Sequence, residues 1–259
     1  MNTIYLGISL QVALSIVVPI IIIVIFQRKK MLSWKSFGAG VLIFIVFSQI
    51  LEKLLHLAVI APSGTHVKWS ANPYVFALYG GLAAGIFEEI GRFFAFKVLV
   101  KKHHRYNNGL SYGLGHGGIE AILIGGFSAV NSLLVYSMVQ SGKLDQLLGA
   151  HLPSEQITLI KNQFANATIW LYAAGGMERL FAIALHIALS ILVLYGVRQK
   201  QFKYVIYAIL FHAAVNFIPG LYQAGVFTNI LYIEIFLFSI AVLSIIFTIK
   251  MKPKFLDKN

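Results

Sequence analysis

Apolar residues along this chain fall into seven long blocks, at about 3–26, 37–60, 73–98, 111–139, 167–197, 203–219 and 226–249. A helix needs ~20 such residues to cross a bilayer, so each block predicts one crossing. The connectors hold the residues that break helices: APSGTH, ANP, YNNG and IPG. One connector is long, at about 140–166, and its stretch LPSEQITLIKNQF is mildly amphipathic. Pro153 and a capping Ser154 at its start predict a short interfacial helix. The first block has no basic residue ahead of it and no small-residue cleavage pattern, so it reads as a retained span and not a signal peptide. The expected fold is all-α: a polytopic transmembrane helical bundle of about seven spans. We read it as one membrane domain over 1–259, with a catalytic helical core at about 73–220.

Composition sharpens this. The chain is 58% hydrophobic and 12% charged, with a mean hydropathy of +0.79, against roughly 45–50% and 25% for soluble domains. It has no cysteine, which excludes disulfides, thiolate metal sites and cysteine nucleophiles. The net charge of +12 suggests nucleic acid until its placement is read. Arg28, Lys29, Lys30, Lys35, Lys101, Lys102, Arg105, Arg198, Lys200, Lys203, Lys250, Lys252, Lys254 and Lys258 fall on one set of alternating connectors; Lys68, Lys143 and Lys161 fall on the other. Basic residues stay on the cytoplasmic side. The bias therefore places the N-terminus outside and the C-terminus in the cytoplasm of a bacterial plasma-membrane protein. The charge belongs to the lipid surface, and no basic soluble domain is left to bind nucleic acid.

The blocks contain residues that lipid would reject: Glu88, Glu89, Arg92, His116, Glu120, Glu178, Arg179, His186, His212 and Asn216. A charged side chain at the bilayer centre costs about 2.5–3.5 kcal/mol on insertion scales, and such residues mark functional sites. Spacing gives them a common interior. Glu88 and Arg92, His116 and Glu120, and His212 and Asn216 are each four apart, on one helix face. Arg179 and His186 are two turns apart on a fourth helix. The glycines and alanines of GHGGIEA, AAGGMER and HAAVN let helices approach closely around them.

Carboxylate, imidazole and carboxamide can activate a water and stabilise an oxyanion. Three histidines with one glutamate also make a zinc set with an open water position. The HExxH signature is absent.

EEIGR, HGGIE, ERLFAIALH and HAAVN, one on each of four successive spans, resemble the YhfC family of intramembrane metalloproteases. That family is similar to the wider group of PrsW and CAAX-processing (CPBP) membrane proteases. The resemblance covers roughly 75–220. It implies Glu88 as the water-activating base, with Glu89 and Arg92 in support. His186 becomes a second water or metal contact, and His212 with Asn216 an oxyanion or metal pair. Glu120 matches a glutamate of the PrsW-like branch, and His116, Glu178 and Arg179 are supporting residues. The implied ligands of a divalent metal such as zinc are Glu88, His186 and His212. The substrate would be a membrane protein or membrane-anchored peptide. One departure lies in the pocket wall, where the group's phenylalanine four before the histidine is Ala182, with Phe181 one earlier.

Two other readings stay open from the residues themselves. An intramembrane Glu/His set can relay protons in a carrier, although no inverted repeat is visible, and it can hold a non-catalytic scaffold together. Glu52, Lys53 and His56 fall in the outer half of the second block and read as interfacial, with Lys53 snorkelling. Trp34, Trp69 and Tyr74 are interface anchors. Glu234 stands alone in the last block, with no assigned role, and the oligomeric state is open.

Overall fold

The computed structural model describes residues 3–149 and 152–256; Lys258 of the basic tail lies outside them. The described residues form helices, turns and two isolated bridges around Val67, with no strand. We number the helices α1 Thr3–Arg28, α2 Trp34–Val59, α3 Pro73–Phe94, α4 Tyr106–Gln140, α5 Leu144–Leu148, α6 Ser154–Ala165, α7 Ile169–Arg198, α8 Lys203–Gln223 and α9 Ile230–Phe255. By length and composition, α1, α2, α4, α7, α8 and α9 can each cross a membrane. Helix α3 has 22 residues but carries Glu88, Glu89 and Arg92 within them. Its start is well specified: Pro73 takes the first turn, and the Asn72 side chain accepts from the Tyr74 N–H at 2.9 Å.

Three element boundaries differ from the sequence expectation. YNNG, read as a breaker, lies inside α4. Asn108 serves the helix start locally, where its Oδ1 accepts from the Arg105 N–H, and its Nδ2 donates across to Ser36 Oγ of α2. A Cβ on Gly109 would meet Ile191 Cδ1 at 2.7 Å, so the glycine serves packing. IPG likewise does not end α8, which runs through Pro219 to Gln223. Gly220 packs there against the backbone of Ala77. The expected interfacial helix forms as α6, but Pro153 holds its N-cap position and no side chain caps it.

Contacts divide the chain into two compact units, residues 1–21 with 121–180 and residues 22–120 with 181–259. In the first, Ile4, Ile8, Ala129, Tyr136, Phe164 and Tyr172 form the core. On its surface Lys161 Nζ donates to both oxygens of Asp145, at 2.9 and 2.7 Å. That bond holds the exposed Asp145 carboxyl below its ordinary range.

In the second unit, helix contact is set by missing side chains. A Cβ on Gly81 would lie 2.5 Å from Ala213 O, and one on Gly85 2.7 Å from Ile209 O, so α3 and α8 meet backbone to backbone. Gly113 and Gly117 do the same for α4 against Ile187 and Ile183 of α7, and Gly115 for α4 against Phe37 of α2. Glycines four apart make one smooth helix face, which is how helices approach in an apolar medium. Gly113→Ala is expected to destabilise by about 1–3 kcal/mol, as overpacking does. Gly118→Ala, where a Cβ meets nothing within 4 Å, should leave the thermal midpoint unchanged or raised; thermal unfolding in nanodiscs compares the two.

Candidate metal and catalytic centre

These close approaches bring polar residues of α2, α3, α4, α7 and α8 together inside the second unit. Glu88, Glu89 and Arg92 come from α3, His116 and Glu120 from α4, His186 from α7 and His212 from α8. Glu88, Glu89, Arg92, His116, His186 and His212 are all buried.

Glu89 and Arg92 form its charged base. Arg92 Nη1 donates to both Glu89 oxygens, at 2.5 and 2.6 Å, and both side chains are fully buried. Glu89 Oε1 also stands 2.9 Å from His212 Nδ1. An ionised carboxylate only accepts, so that ring donates from Nδ1 and keeps Nε2 for other work.

A second line runs through the other two histidines. Arg92 Nη2 lies 3.0 Å from His186 Nδ1. Arginine has no acceptor, so His186 Nδ1 presents its lone pair and its N–H sits on Nε2. That N–H meets Glu120 Oε2 at 2.7 Å. Carboxylates set behind imidazoles in this way fix ring orientation and tautomer. Glu88 uses its two oxygens separately. Oε2 is 2.8 Å from His116 Nε2 and 3.8 Å from His186 Nδ1, and Oε1 accepts from Ser48 Oγ at 3.2 Å. The His116 and His186 rings are 4.5 Å apart, and His186 and His212 5.4 Å.

Glu88, His116 and His186 each offer one donor atom, and these lie within 4.8 Å of one another. The set expected from sequence had His212 in place of His116. The structure sets His212 against Glu89 instead and puts His116, expected only in support, directly on Glu88. Two imidazoles and a carboxylate are a catalytic zinc donor set. His116 Nδ1 adds a buried ring nitrogen with no hydrogen-bond partner among the described residues. The residues therefore fit a divalent metal.

The remaining candidates are placed differently. Asn216, one turn beyond His212, is half-buried and makes no hydrogen bond to the cluster among the described residues. Glu178 and Arg179 belong to the first unit, half-buried, with Arg179 Nη2 donating to Glu178 Oε2 at 3.3 Å. Sequence reasoning missed Ser48, and it put Glu52 at the interface. Glu52 is buried, and Ser48 Oγ touches both its Oε2 and Glu88 Oε1 at 3.2 Å. The signal was the spacing of Ser48, Glu52 and His56 at successive fours on one helix.

The profile of the YhfC intramembrane metalloprotease family matches residues 14–237. The uncharacterized membrane protein YhfC of Bacillus subtilis (strain 168) is 39% identical over 248 residues, 95% of this chain and 96% of the relative. No solved structure matches. With six helices long and apolar enough to cross, this is a multi-pass integral membrane protein, and the bacterial relative supports a plasma-membrane location.

Proposed function

Because the chain belongs to the YhfC intramembrane metalloprotease family, we propose that it hydrolyses a peptide bond of a membrane protein or membrane-anchored peptide at the Glu88 centre. The observation that carries this reading is the buried convergence of the Glu88, His116 and His186 donor atoms within 4.8 Å. Those three residues would hold a divalent metal such as zinc. When bound, such an ion makes a nucleophile of water near neutral pH and polarises a carbonyl.

The protein's own residues supply the rest. Glu88 takes the proton of the attacking water as general base. Glu120 orients the His186 ring from Nε2, and Nδ1, which faces Arg92 and Glu88, is the nitrogen that would turn its lone pair from the guanidinium to the ion. Glu89 orients His212 through Nδ1, so that Nε2 can carry a proton to the leaving amine while the carboxylate stabilises the imidazolium, the division of labour of a carboxylate–histidine pair. Asn216, a turn away, offers its carboxamide to a substrate carbonyl.

The test uses the purified full chain in liposomes carrying a panel of membrane-anchored peptides, with products read by mass spectrometry. Cleavage by the wild-type protein and none by Glu88→Gln supports the reading; equal cleavage by both removes it. Metal analysis of the same preparations separates the two candidate ligand sets. His116→Ala is expected to lower bound zinc by about 10–100-fold or more, and His212→Ala to keep it. The reverse pattern returns His212 to the ligand set.

A further inference from the structure

Two adjoining cavities lie at the junction of α7 and α8, inside the second unit, and no residue of the Glu88 centre lines them. One, of about 470 Å³, opens among Phe93, Lys97, Lys200 and Phe202. The other, of about 460 Å³, opens among His104, Arg105, Arg198, Lys200 and Phe255. Val197 and Lys200 line both, and no aspartate or glutamate among the described residues lines either. Side-chain contacts hold the walls. Arg198 Nη1 donates to His104 O at 3.4 Å and to Phe255 O at 3.2 Å, with its guanidinium 5.1 Å over the Phe255 ring. Lys97 Nζ stands 5.2 Å over the Phe93 ring, and Phe93 meets Phe202 edge-on at 5.2 Å. Lys97, Arg105 and Lys200 are exposed.

Two features separate these cavities from a solvated basic surface. Helix α7 ends in a turn where the Gln201 N–H donates to Gly196 O at 2.9 Å and the Lys200 N–H to Val197 O at 3.2 Å. The residue at the centre of such a turn is left-handed and usually glycine. Here it is Lys200, at φ +55°. Left-handed backbone is costly for a residue with a side chain, so the lysine stands on the wall shared by both cavities where glycine would be easier. The second feature is Phe202, which holds the N-cap of α8 and gives it no side-chain cap. An uncapped helix start carries partial positive charge, which adds to that of Lys97 and Lys200.

We infer that these cavities take the phosphate headgroup of an anionic phospholipid. Lysine and arginine donors with no carboxylate among them suit a phosphate. A zwitterionic headgroup would bring an ammonium that no acid there can meet. The apolar edge of the site points to a lipid and not to free phosphate. Phe94 and Val98 at the end of α3, and Phe202, Ile206 and Leu210 on α8, are exposed, at the four-residue steps that align side chains on one helix face. Acyl chains lie along those stripes while the phosphate sits between Lys97 and Lys200; a free phosphate would use the lysines alone. The lipid ties the end of α3 to the end of α7, the helices that carry Glu88 and His186.

The test takes the full chain from vesicles of phosphatidylcholine and phosphatidylglycerol into detergent at high salt, which strips loosely attracted lipid. Native mass spectrometry then reads the lipid retained. The wild-type protein should keep phosphatidylglycerol in preference to phosphatidylcholine. Lys97→Gln and Lys200→Gly should each keep about fivefold less, the worth of one basic side chain at an anionic lipid. Glycine relieves the left-handed backbone, so Lys200→Gly should unfold at or above the wild-type temperature, and its lost lipid is not a lost fold. Lys101→Gln/Lys102→Gln removes two exposed charges just beyond Lys97 but from neither cavity, and should retain lipid as the wild type does. The site is overturned if that double variant loses as much lipid as Lys200→Gly, as a diffuse basic surface would, or if Lys200→Gly retains it fully. Inorganic phosphate at the concentration of the lipid should leave the lipid in place; displacement by it would make this a site for a free anion and overturn the lipid assignment. No readout here involves peptide cleavage, so the lipid site and the peptidase reading fail separately.

Discussion

Replacing Glu88 with glutamine is expected to lower peptide hydrolysis by about 10²–10⁴-fold, the contribution of a positioned general base, with the fold intact. The prediction follows from how this one carboxylate is used. Its Oε2 faces His116 and His186, and its Oε1 faces Ser48. Glutamine has the same shape and can still hydrogen-bond to Ser48 and His116, so the helices that meet there lose little packing. What it cannot do is accept a proton from water or act as an anionic ligand. The variant should therefore unfold near the wild-type temperature, bind less zinc and produce no cleavage products. Thermal unfolding, metal analysis and mass spectrometry on one preparation read all three. A Glu88→Gln protein that cleaves at the wild-type rate would move the chemistry away from this residue.

Arg92→Met is expected to have the largest effect on stability, a loss of about 3–5 kcal/mol, the cost of breaking a buried ion pair from one side. Arg92 and Glu89 are both fully buried, and a single guanidinium nitrogen serves both carboxylate oxygens. Without it Glu89 keeps, among the described residues, His212 as the partner for its charge, and His186 Nδ1 loses its donor. The penalty comes from the stranded carboxylate more than from the lost attraction, because apolar replacements of whole buried pairs are often neutral. The double variant Glu89→Gln/Arg92→Met should accordingly recover much of the loss. Thermal unfolding of the two variants in nanodiscs measures it. A single variant within about 1 kcal/mol of wild type would mean that Glu89 is not a buried anion.

Much of this centre was legible before any coordinates. Glu88, Glu89, Arg92, His116, Glu120, His186 and His212 are conspicuous because each stands in a block that is otherwise apolar, and lipid makes every such residue expensive. Helical periodicity grouped them by face. It could not pair them across helices. Whether His116 or His212 meets Glu88 depends on how α4 and α8 are rotated, and that rotation is set by Gly113, Gly117, Gly81 and Gly85. Sequence shows that these glycines are small, not which neighbour presses on them. Glu52 was misplaced for a related reason. Counted from the end of its block it lies near an interface, but Ser48 carries its hydrogen bonding inward.

From the sequence alone came the all-helical membrane fold, the family, and the residues that can do chemistry, since a bilayer-length apolar run and an acid within it are both costs that one chain reveals locally. Which nitrogen faces which carboxylate, and that Ser48 ties Glu88 to Glu52, were decided by helix contacts between residues as far apart as Glu89 and His212. Those pairings depend on distances of a few ångströms between separate helices, and no local pattern along a single chain encodes them.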